Sequence, residues 1–423
     1  MLIFWSCDNH KPDNFGRVPY DPKKPVRITG FEPDSGGLAT KVFITGSNFG
    51  TDLSKIKVYF GNTPAPVIGS DGNHLYVFTP RQPGDHTQIS VVSHGDSTTF
   101  TEKTFQYNIM YIIRTISGRR GTTEFKPGRL MEAEYHQPST ITVDQQGNLF
   151  MSHWRVPFCF VRINEEEDIV EAILPGSDDT RWATGAPTVD ADGVVSVIND
   201  NGRDYFTFDP LEAWTPRQRF ILPAGPGKTP FTHSTAHSFA AHPETGELYT
   251  RYQLSGHLIK VDPFTREGQL VAELTTACDS YVVFDPRDPN ILYIAYDNLH
   301  FISKFDLRTG VEVVFAGQRG SPGWVDGTLA TSRFRNLNQM IVDHDGNLVV
   351  ADMGNHCIRK ITLDEFGGGI VTTIIGKGGV AGYQDGNPND ALFNQPRGVA
   401  IKADGTIYIT DRGNNVVRKL TIE

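Results

Sequence analysis

The sequence has few cysteines, no cluster of basic residues and no long apolar segment. Its four cysteines, at positions 7, 159, 278 and 357 of 423, are too few and too scattered for the disulfide framework of a small secreted domain. The formal net charge is -10 and Lys and Arg form no run, which argues against nucleic-acid binding because such affinity comes largely from neutralising phosphates. No segment approaches the ~20 apolar residues of a membrane-spanning helix. Stability must therefore come from a packed core.

Motifs of common hydrolases and metal enzymes are also missing. The sequence contains neither a G-x-S-x-G nucleophile elbow nor an H-E-x-x-H zinc motif. Asp343, Asp345 and Asp404, each near a glycine, have the spacing of hairpin turns and lack the distant bidentate Glu of a calcium loop. No cofactor is therefore expected.

Glycine and proline are abundant, with 42 and 26 residues, as expected of many short strands joined by turns. Between residues 25 and 108 apolar side chains alternate with the period of half-buried strands, and Gly, Pro, Asn and Asp separate the alternating segments. The alternating pairs are Val42 and Ile44, Val58 and Phe60, and Ile89 and Val91. This pattern predicts a β-sandwich.

The same segment resembles the IPT/TIG family of immunoglobulin-like domains. The resemblance rests on Pro33, the Gly36-Gly37 turn, the GSNFG run at 46–50 and the Phe60-Gly61 pair. It implies an immunoglobulin-like sandwich that acts as a spacer or docking module. No metal-ligand cluster or pair of carboxylates in the segment argues for catalysis.

Internal repeats follow the sandwich segment. Residues 317–334 align without gaps onto 376–393, an offset of 59, and the same offset carries VVADMGNHCIRKI (349–361) onto YITDRGNNVVRKL (408–420). Four weaker copies precede them: STITVDQQGNLFMSHW, APTVDADGVVSVIND, HSFAAHPETGELYTRYQ and SYVVFDPRDPNILYIAYDN. Six units, each long enough for a four-stranded sheet, predict a six-bladed β-propeller.

The last unit supplies only three strands, and the segment YIIRTISGRRG at 111–121 resembles VTTIIGKGG at 371–379. We therefore expect this N-terminal strand to complete the last blade and remove an exposed sheet edge. The repeats resemble the NHL family, strongly in the last two units and loosely in the first four. Arg359-Lys360 and Arg418-Lys419 recur with the repeat and are interpreted as solvated strand ends. The prediction is an all-β chain with domains at 25–108 and 109–423.

The chain begins with MLIFWSC, followed by a polar and Pro-rich stretch to Pro25. This start resembles the end of a bacterial lipoprotein signal, although it lacks a basic segment and is short. We expect Cys7 to be lipidated and residues 1–24 to form a lipoprotein-like N-terminus and tether; the alternative is a disordered apolar N-terminus. The combination of modules resembles Bacteroidetes cell-envelope proteins, some of which belong to polysaccharide-utilisation systems. An outer-membrane lipoprotein, on the surface or the periplasmic side, is expected.

In a propeller, the loops entering each innermost strand share one face with the loops between the second and third strands. Aligning the repeats places Ser139, Gly185, His237, Ser280, Asn338 and Arg397 at equivalent positions on this face. The second set of loops also contains Asn201, Arg203, Asp297, Asn298, Asn355 and Arg412. The expected ligand contacts are Trp154, Arg155, Trp182, Arg251, Tyr252, Asn338 and Arg397. Trp324 and Tyr383 recur at one period and are interpreted as packing residues.

Two functions compete for this face. Exposed aromatic rings beside Arg, Asn and Asp suit a sugar, which favours a non-catalytic binding protein for carbohydrate or an envelope protein partner. The alternative is a hydrolase or lyase that uses His237, His233 and Arg397, with a metal ion if His136 or His153 joins His237. NHL-like propellers include a lyase whose metal is held by histidines, so the resemblance keeps this alternative open.

Overall fold

A computed structural model describes residues 17–37, 39–80, 84–155, 157–177, 183–275, 277–343, 345–364 and 367–422. These residues form two compact units, one comprising the described residues up to Tyr111 together with Ile422, the other Ile112–Thr421. We call them the N-terminal and the C-terminal unit. Within the described ranges the regular structure is β-strand with short 3-10 turns, and no helix there is long and apolar enough to cross a membrane.

The N-terminal unit is built from eleven strands in its described part. They are β1 (Arg27–Glu32), β2 (Ser35–Gly36), β3 (Lys41–Gly50), β4 (Ile56–Phe60), β5 (Thr63–Ala65), β6 (Val67–Ser70), β7 (Gly72–Phe78), β8 (His86–Thr87), β9 (Ile89–Ser93), β10 (Asp96–Thr99) and β11 (Phe105–Tyr107). The strand orders are β1-β3-β7-β6, β10-β9-β4-β5 and β2-β11-β8. The two four-stranded sheets enclose one core, in which Val42, Ile44, Val58 and Phe60 are buried as the alternation predicts.

The C-terminal unit begins with nine strands that build its first two complete sheets and the edge of the last one. They are β12 (Tyr111–Gly118), β13 (Pro138–Val143), β14 (Leu149–His153), β15 (Phe158–Asn164), β16 (Ile169–Ser177), β17 (Thr188–Val189), β18 (Val195–Ile198), β19 (Asp204–Phe208) and β20 (Pro216–Phe220).

The remaining strands, β21 to β36, build the other four sheets, the last of them together with β12. They are β21 (Ala240–Ala241), β22 (Leu248–Arg251), β23 (His257–Val261), β24 (Gly268–Glu273), β25 (Ser280–Asp285), β26 (Asp288–Tyr296), β27 (Phe301–Asp306), β28 (Val311–Gly317), β29 (Gly327–Thr328), β30 (Leu337–Val342), β31 (Leu348–Asp352), β32 (Cys357–Leu363), β33 (Gly369–Ile375), β34 (Pro396–Ile401), β35 (Ile407–Asp411) and β36 (Val416–Ile422). Among the described residues, 3-10 turns are found at Leu53–Lys55, Pro210–Glu212, Met353–Asn355 and Arg412–Asn414.

The described strands of the C-terminal unit form six sheets arranged in a ring. Four consist of consecutive strands, from β13 to β28, and a fifth has the order β29-β33-β32-β31-β30. The innermost strands β13, β17, β21, β25, β30 and β34 contact one another in that order, and β34 contacts β13. The predicted propeller fold is confirmed.

The ring closes as the sequence predicts. The last sheet has the order β12-β36-β35-β34, so the strand preceding all the repeats completes the sheet that contains the C-terminal strand. The backbone N–H of Thr115 on β12 also donates to Asp385 Oδ2 at 2.9 Å. First and last strands are therefore tied together, and no edge of β36 is left for pairing with another chain.

Apolar cores lie between neighbouring sheets all around the ring. The second strands explain this packing, because they are apolar on both faces and their side chains alternate between the two neighbours. On β31, Leu348 and Val350 pack towards the preceding sheet, and Val349 and Ala351 pack towards the following one. The same strand thus holds two interfaces, and the continuous apolar runs of the repeats follow from this double burial.

Arg359 and Arg418, predicted as solvated strand ends, are instead fully buried at 0% exposure. Arg418 donates to Asp411 Oδ2 at 3.1 Å and to Asp385 Oδ1 at 2.6 Å. Arg359 makes the equivalent bonds one repeat earlier, to Asp352 and Asp326. The prediction was wrong because the Arg at this repeat position is buried and pairs with one buried and one partly exposed carboxylate, and only the following Lys reaches solvent.

Candidate functional site at the channel mouth

One end of the ring collects the loops that enter the innermost strands and the loops between second and third strands. Side chains from different sheets meet there, and we call this group the channel mouth. Its members are Gln137, Trp154, Arg155, Asp200, His237, Gln253, Asp279, Tyr281, Asp297, Asn336, Asn338, Gln395, Arg397 and Arg412. Both sets of predicted loops contribute.

Trp154, which follows β14, reaches across the channel mouth. The guanidinium carbon of Arg397, from β34, lies 4.4 Å from the centre of its ring, a cation–π distance. The imidazole of His237, which precedes β21, lies 6.2 Å from the same ring and is tilted by 40°. Trp154 is half-buried. Residues far apart in sequence therefore share one polar surface around this indole, with Arg397 covering part of it.

His237 is the centre of an acidic half of the channel mouth. Its Nε2 lies 3.4 Å from Asp200 Oδ1 and 3.7 Å from Asp279 Oδ2, and only 6% of the residue is exposed. Burial lowers the pKa of His237 below its usual value, against the opposing pull of the two carboxylates. Burial also raises the pKa of the Asp200 carboxyl. The imidazole therefore takes up a proton less readily than an exposed histidine does.

The third acid, Asp297, follows β26 and is held by two amides. Asn336 Nδ2 donates to its Oδ1 at 2.9 Å, and Asn338 Nδ2 donates to its Oδ2 at 3.2 Å. Burial raises the pKa of Asp297. On Asp279, Oδ1 accepts from Gln253 Nε2 at 2.5 Å. The acids are thus fixed by neutral donors rather than by close salt bridges to arginine.

The opposite half of the channel mouth carries three arginines. Arg412 opens the 3-10 turn Arg412–Asn414, which Asn414 anchors by donating from Nδ2 to Asp411 Oδ2 at 2.8 Å. Gln137 Oε1 accepts from Arg412 Nη2 at 2.8 Å and from Arg155 Nε at 2.9 Å. Burial, with the nearby charges of Arg397 and Arg155, lowers the pKa of Arg412 to about 10.

Several predicted contacts lie inside the fold instead of facing the channel. Arg251 is 2% exposed, and its Nη1 donates to Cys278 O at 2.7 Å and to Ser280 Oγ at 3.0 Å. Tyr252 is fully buried and donates its hydroxyl to Gly202 O at 2.7 Å. Their prediction as ligand contacts is wrong because both side chains join one sheet to its neighbour.

The predicted histidines do not gather around one point. His233 Nδ1 lies 3.0 Å from Gly202 O and 3.0 Å from the Tyr252 hydroxyl. His153 is fully buried, its Nε2 accepts the backbone N–H of His136 at 2.7 Å, and its Nδ1 faces two carbonyl oxygens. In the described ranges no group of three or more His, Cys, Asp and Glu side chains is placed to hold a metal ion. His153 has no free nitrogen for one.

Two predicted residues, Cys7 and Trp182, lie outside the described residues. Trp324 lies away from the channel, where its Nε1 donates to Thr373 Oγ1 on β33 at 2.9 Å. Sequence reasoning missed Asp200, Asp279 and Tyr281, which stand next to aligned positions in the chain. The aligned position Ser280 could have identified Asp279 and Tyr281, since the residues on either side of an inward-facing position also line the channel mouth.

Comparison with known proteins agrees with this architecture. Residues 25–107 match the IPT/TIG domain family, and residues 393–420 match the NHL repeat. The chain combines a TIG domain with an NHL repeat. A curated relative, NHL repeat-containing protein 2 from Gallus gallus, is 32% identical over 168 residues, 37% of this chain. The chain spans about a fifth of that relative's length, 22%.

Two solved structures resemble the whole TIG–NHL chain. An auxiliary nutrient binding protein from Bacteroides ovatus is 24% identical, with a TM-score of 0.73 over 96% of this chain and 100% of that chain. A second auxiliary nutrient binding protein, from Bacteroides thetaiotaomicron, is 25% identical, with a TM-score of 0.64 over 96% and 99%. The order of sandwich and propeller is therefore shared across nearly the full length.

Proposed function

We propose that this chain is a non-catalytic binding protein of the bacterial cell envelope that binds carbohydrate at the channel mouth. The observation that carries the proposal is the setting of Trp154, an indole surrounded by acceptors and donors from several sheets. An indole offers an apolar face to a sugar ring, while fixed carboxylates, amides and guanidiniums bond to its hydroxyls. A concave face with an aromatic group and a few converging polar groups is the usual form of a ligand site.

The arrangement of polar groups fits hydroxyl recognition. Asp279 and Asp297 are oriented by Gln253 and by two asparagines, so their remaining lone pairs have fixed directions. Asp200 Oδ1 is buried and has no hydrogen-bond partner among the described residues. Buried polar atoms normally find a partner, and a sugar hydroxyl would supply one.

The position of His233 favours binding over the hydrolase or lyase. That alternative needs His233 to work with His237, yet His233 is bonded to Tyr252 and Gly202. His237 has acids on one side and Trp154 on the other, and Arg397 donates from Nη2 to the Tyr281 hydroxyl at 3.1 Å. This arrangement orients a ligand without a paired nucleophile and base.

The envelope location is supported by the two similar Bacteroides proteins, whose names describe nutrient binding. In this proposal Cys7 carries the lipid anchor, and the TIG domain is a spacer that presents the propeller. A protein partner on the same face is the second candidate ligand. We further propose that domain limits follow the sequence, at 25–108 and 109–423.

The first experiment is a binding screen of residues 17–423 against polysaccharides, with analysis of the products. Residues 17–24 are kept because Tyr20 stacks on His94 at 4.2 Å. Retention on a glycan without new reducing ends is the expected result. New reducing ends would overturn the non-catalytic proposal, and binding to envelope proteins alone would replace carbohydrate with a protein partner.

Trp154→Ala tests the surface itself, and Trp324→Ala is its matched control. We expect Trp154→Ala to weaken glycan affinity by about 1–3 kcal/mol, or roughly 5- to 150-fold, since it removes the aromatic face. Trp324, 47% exposed and away from the channel, should have no effect. Calorimetric titration of both variants, with unfolding curves to confirm that they fold, gives the answer; equal affinities would refute the role of the indole.

A further inference from the structure

The three arginines of the channel mouth differ from Arg359 and Arg418, the buried arginines that recur with the repeat. Arg359 and Arg418 each bind two carboxylates. Arg155, Arg397 and Arg412 instead donate to neutral groups, the amide oxygens of glutamines and a tyrosine hydroxyl. Among the described residues none of these three forms a salt bridge with a carboxylate. Their charges are therefore not neutralised by a direct ion pair within the described part of the chain.

Placing these positive charges close together costs free energy unless negative groups offset their repulsion. Arg155 and Arg412 share one acceptor oxygen, Gln137 Oε1, so their guanidiniums lie side by side. Arg397 is 7% exposed, and its Nε has no hydrogen-bond partner among the described residues. The Nε of Arg412 is likewise buried and unpartnered there, as are those of Arg359 and Arg418, so it is the missing ion pair that distinguishes the arginines of the mouth. Buried charges are normally paired, yet among the described residues no carboxylate lies within salt-bridge distance of this group, and Asp200 and Asp297 act on Arg397 only from farther away.

We propose that Arg155, Arg397 and Arg412 bind an anionic group on the ligand, a carboxylate or sulfate of an acidic glycan. Guanidiniums recognise such oxygens with charge-assisted, often bidentate hydrogen bonds. This inference rests on the proposed function and names its substrate class, the acidic rather than the neutral glycans.

The acidic half of the channel mouth sets the orientation of such a ligand. Asp200, Asp279 and His237 lie on loops of other sheets than the three arginines. Carboxylates there repel an anion and accept hydroxyl hydrogens. An acidic sugar would therefore place its anionic group at the arginines and its hydroxyls at the acids, a single orientation that a neutral sugar has no reason to prefer.

The experiment compares acidic and neutral probes of equal length. Oligogalacturonate, a sulfated galactose oligosaccharide and a neutral galactose oligosaccharide are titrated into residues 17–423 by calorimetry, and inorganic sulfate is added as a competitor. Arg155→Gln removes an exposed side chain and should not disturb folding. Arg412→Gln removes a more buried one. Arg217→Gln, whose guanidinium pairs with Glu212 near the outer strand β20, is the matched control.

We expect an acidic probe to bind more tightly than the neutral one, and Arg155→Gln and Arg412→Gln to weaken it at least about tenfold. Its affinity should fall with salt, and Arg217→Gln should leave it unchanged. If the neutral oligosaccharide binds as tightly as the acidic ones, and the arginine variants bind all of them as the wild type does, this inference is overturned. The proposal of carbohydrate binding would then still stand. If inorganic sulfate alone gives a binding heat and no glycan binds, the ligand is a free anion. That result, or no binding of any kind, would overturn both proposals.

Discussion

His153 makes the stability of the propeller depend on pH in a direction that the structure fixes. Its imidazole is 0% exposed and accepts the His136 backbone N–H at Nε2, with Nδ1 left to donate to the carbonyls of Arg155 and Pro157. A second proton on Nε2 would meet that N–H and would be buried with its charge. Burial accordingly lowers the pKa of His153 to about 4.

The magnitude follows from linkage between protonation and folding. In the unfolded chain a histidine has a pKa of about 6.5, so between about pH 6.5 and 4 the unfolded state binds a proton that the folded state does not. Stability is therefore lost as the pH falls through this window. Lowering the pH from about 7.5 to 5 removes about 2 kcal/mol of unfolding free energy through this one group.

Urea unfolding at both pH values, followed by tryptophan fluorescence, measures the effect. In residues 17–423 tryptophan occurs only at positions 154, 182, 214 and 324, so the signal reports the propeller. Other groups titrate in the same range, including Asp352, whose pKa is raised to about 6 by burial; it takes up its proton first in the folded state and so acts in the opposite direction. The wild type is therefore compared with His153→Gln.

The expected result is that His153→Gln loses about 2 kcal/mol less than the wild type between the two pH values. His86→Gln, which changes an exposed residue of the N-terminal unit, should behave as the wild type does. Equal pH dependence in the wild type and His153→Gln would refute the assignment of a neutral, doubly engaged imidazole.

Two further predictions concern the packing of the ring. Arg418→Met leaves Asp411 buried without its charged partner and should lower the unfolding free energy by about 3–5 kcal/mol. Lys419→Met removes a partly exposed ion pair and should cost about 1 kcal/mol or less. Urea midpoints distinguish the two variants, and equal shifts would contradict the burial of this network. A Cβ on Gly398 would lie 2.6 Å from Ser139 O, so Gly398→Ala should destabilise the propeller by about 1–3 kcal/mol, measured by thermal unfolding. Gly69→Ala, with its nearest atom at 4.0 Å, is the control, and unchanged stability of Gly398→Ala would refute the close approach of the innermost strands.

The architecture was predictable because its signals are local and repeated. The offset between two similar segments revealed the last two sheets, and the similarity of residues 111–121 to 371–379 revealed the closing strand β12. Strand alternation revealed the sandwich core. These patterns survive divergence because each repeat must bury both faces of its second strand.

Side-chain direction was harder to predict. Arg251 and Tyr252 lie on a loop that does belong to the channel mouth, yet both side chains turn into the interface with a neighbouring sheet. A polar residue in a repeat looks the same in sequence whether it meets solvent or a buried carboxylate, as Arg359 does. Partners such as Asp326 come from a distant loop of the chain, and composition alone does not pair them.

Divergence between the repeats is what makes the channel mouth suitable for one oriented ligand. The Arg–Asp pairs that recur in the last two repeats hold sheets together, so they are the same in both. At the mouth the equivalent positions instead carry His237, Asn338 and Arg397. Six identical residues would create a symmetric ring of like groups, which repel when charged and bind a ligand in six equal ways. Different residues from each sheet separate an acidic half from a basic half, and under our proposal that separation selects a ligand with an anionic end and a hydroxyl-rich end.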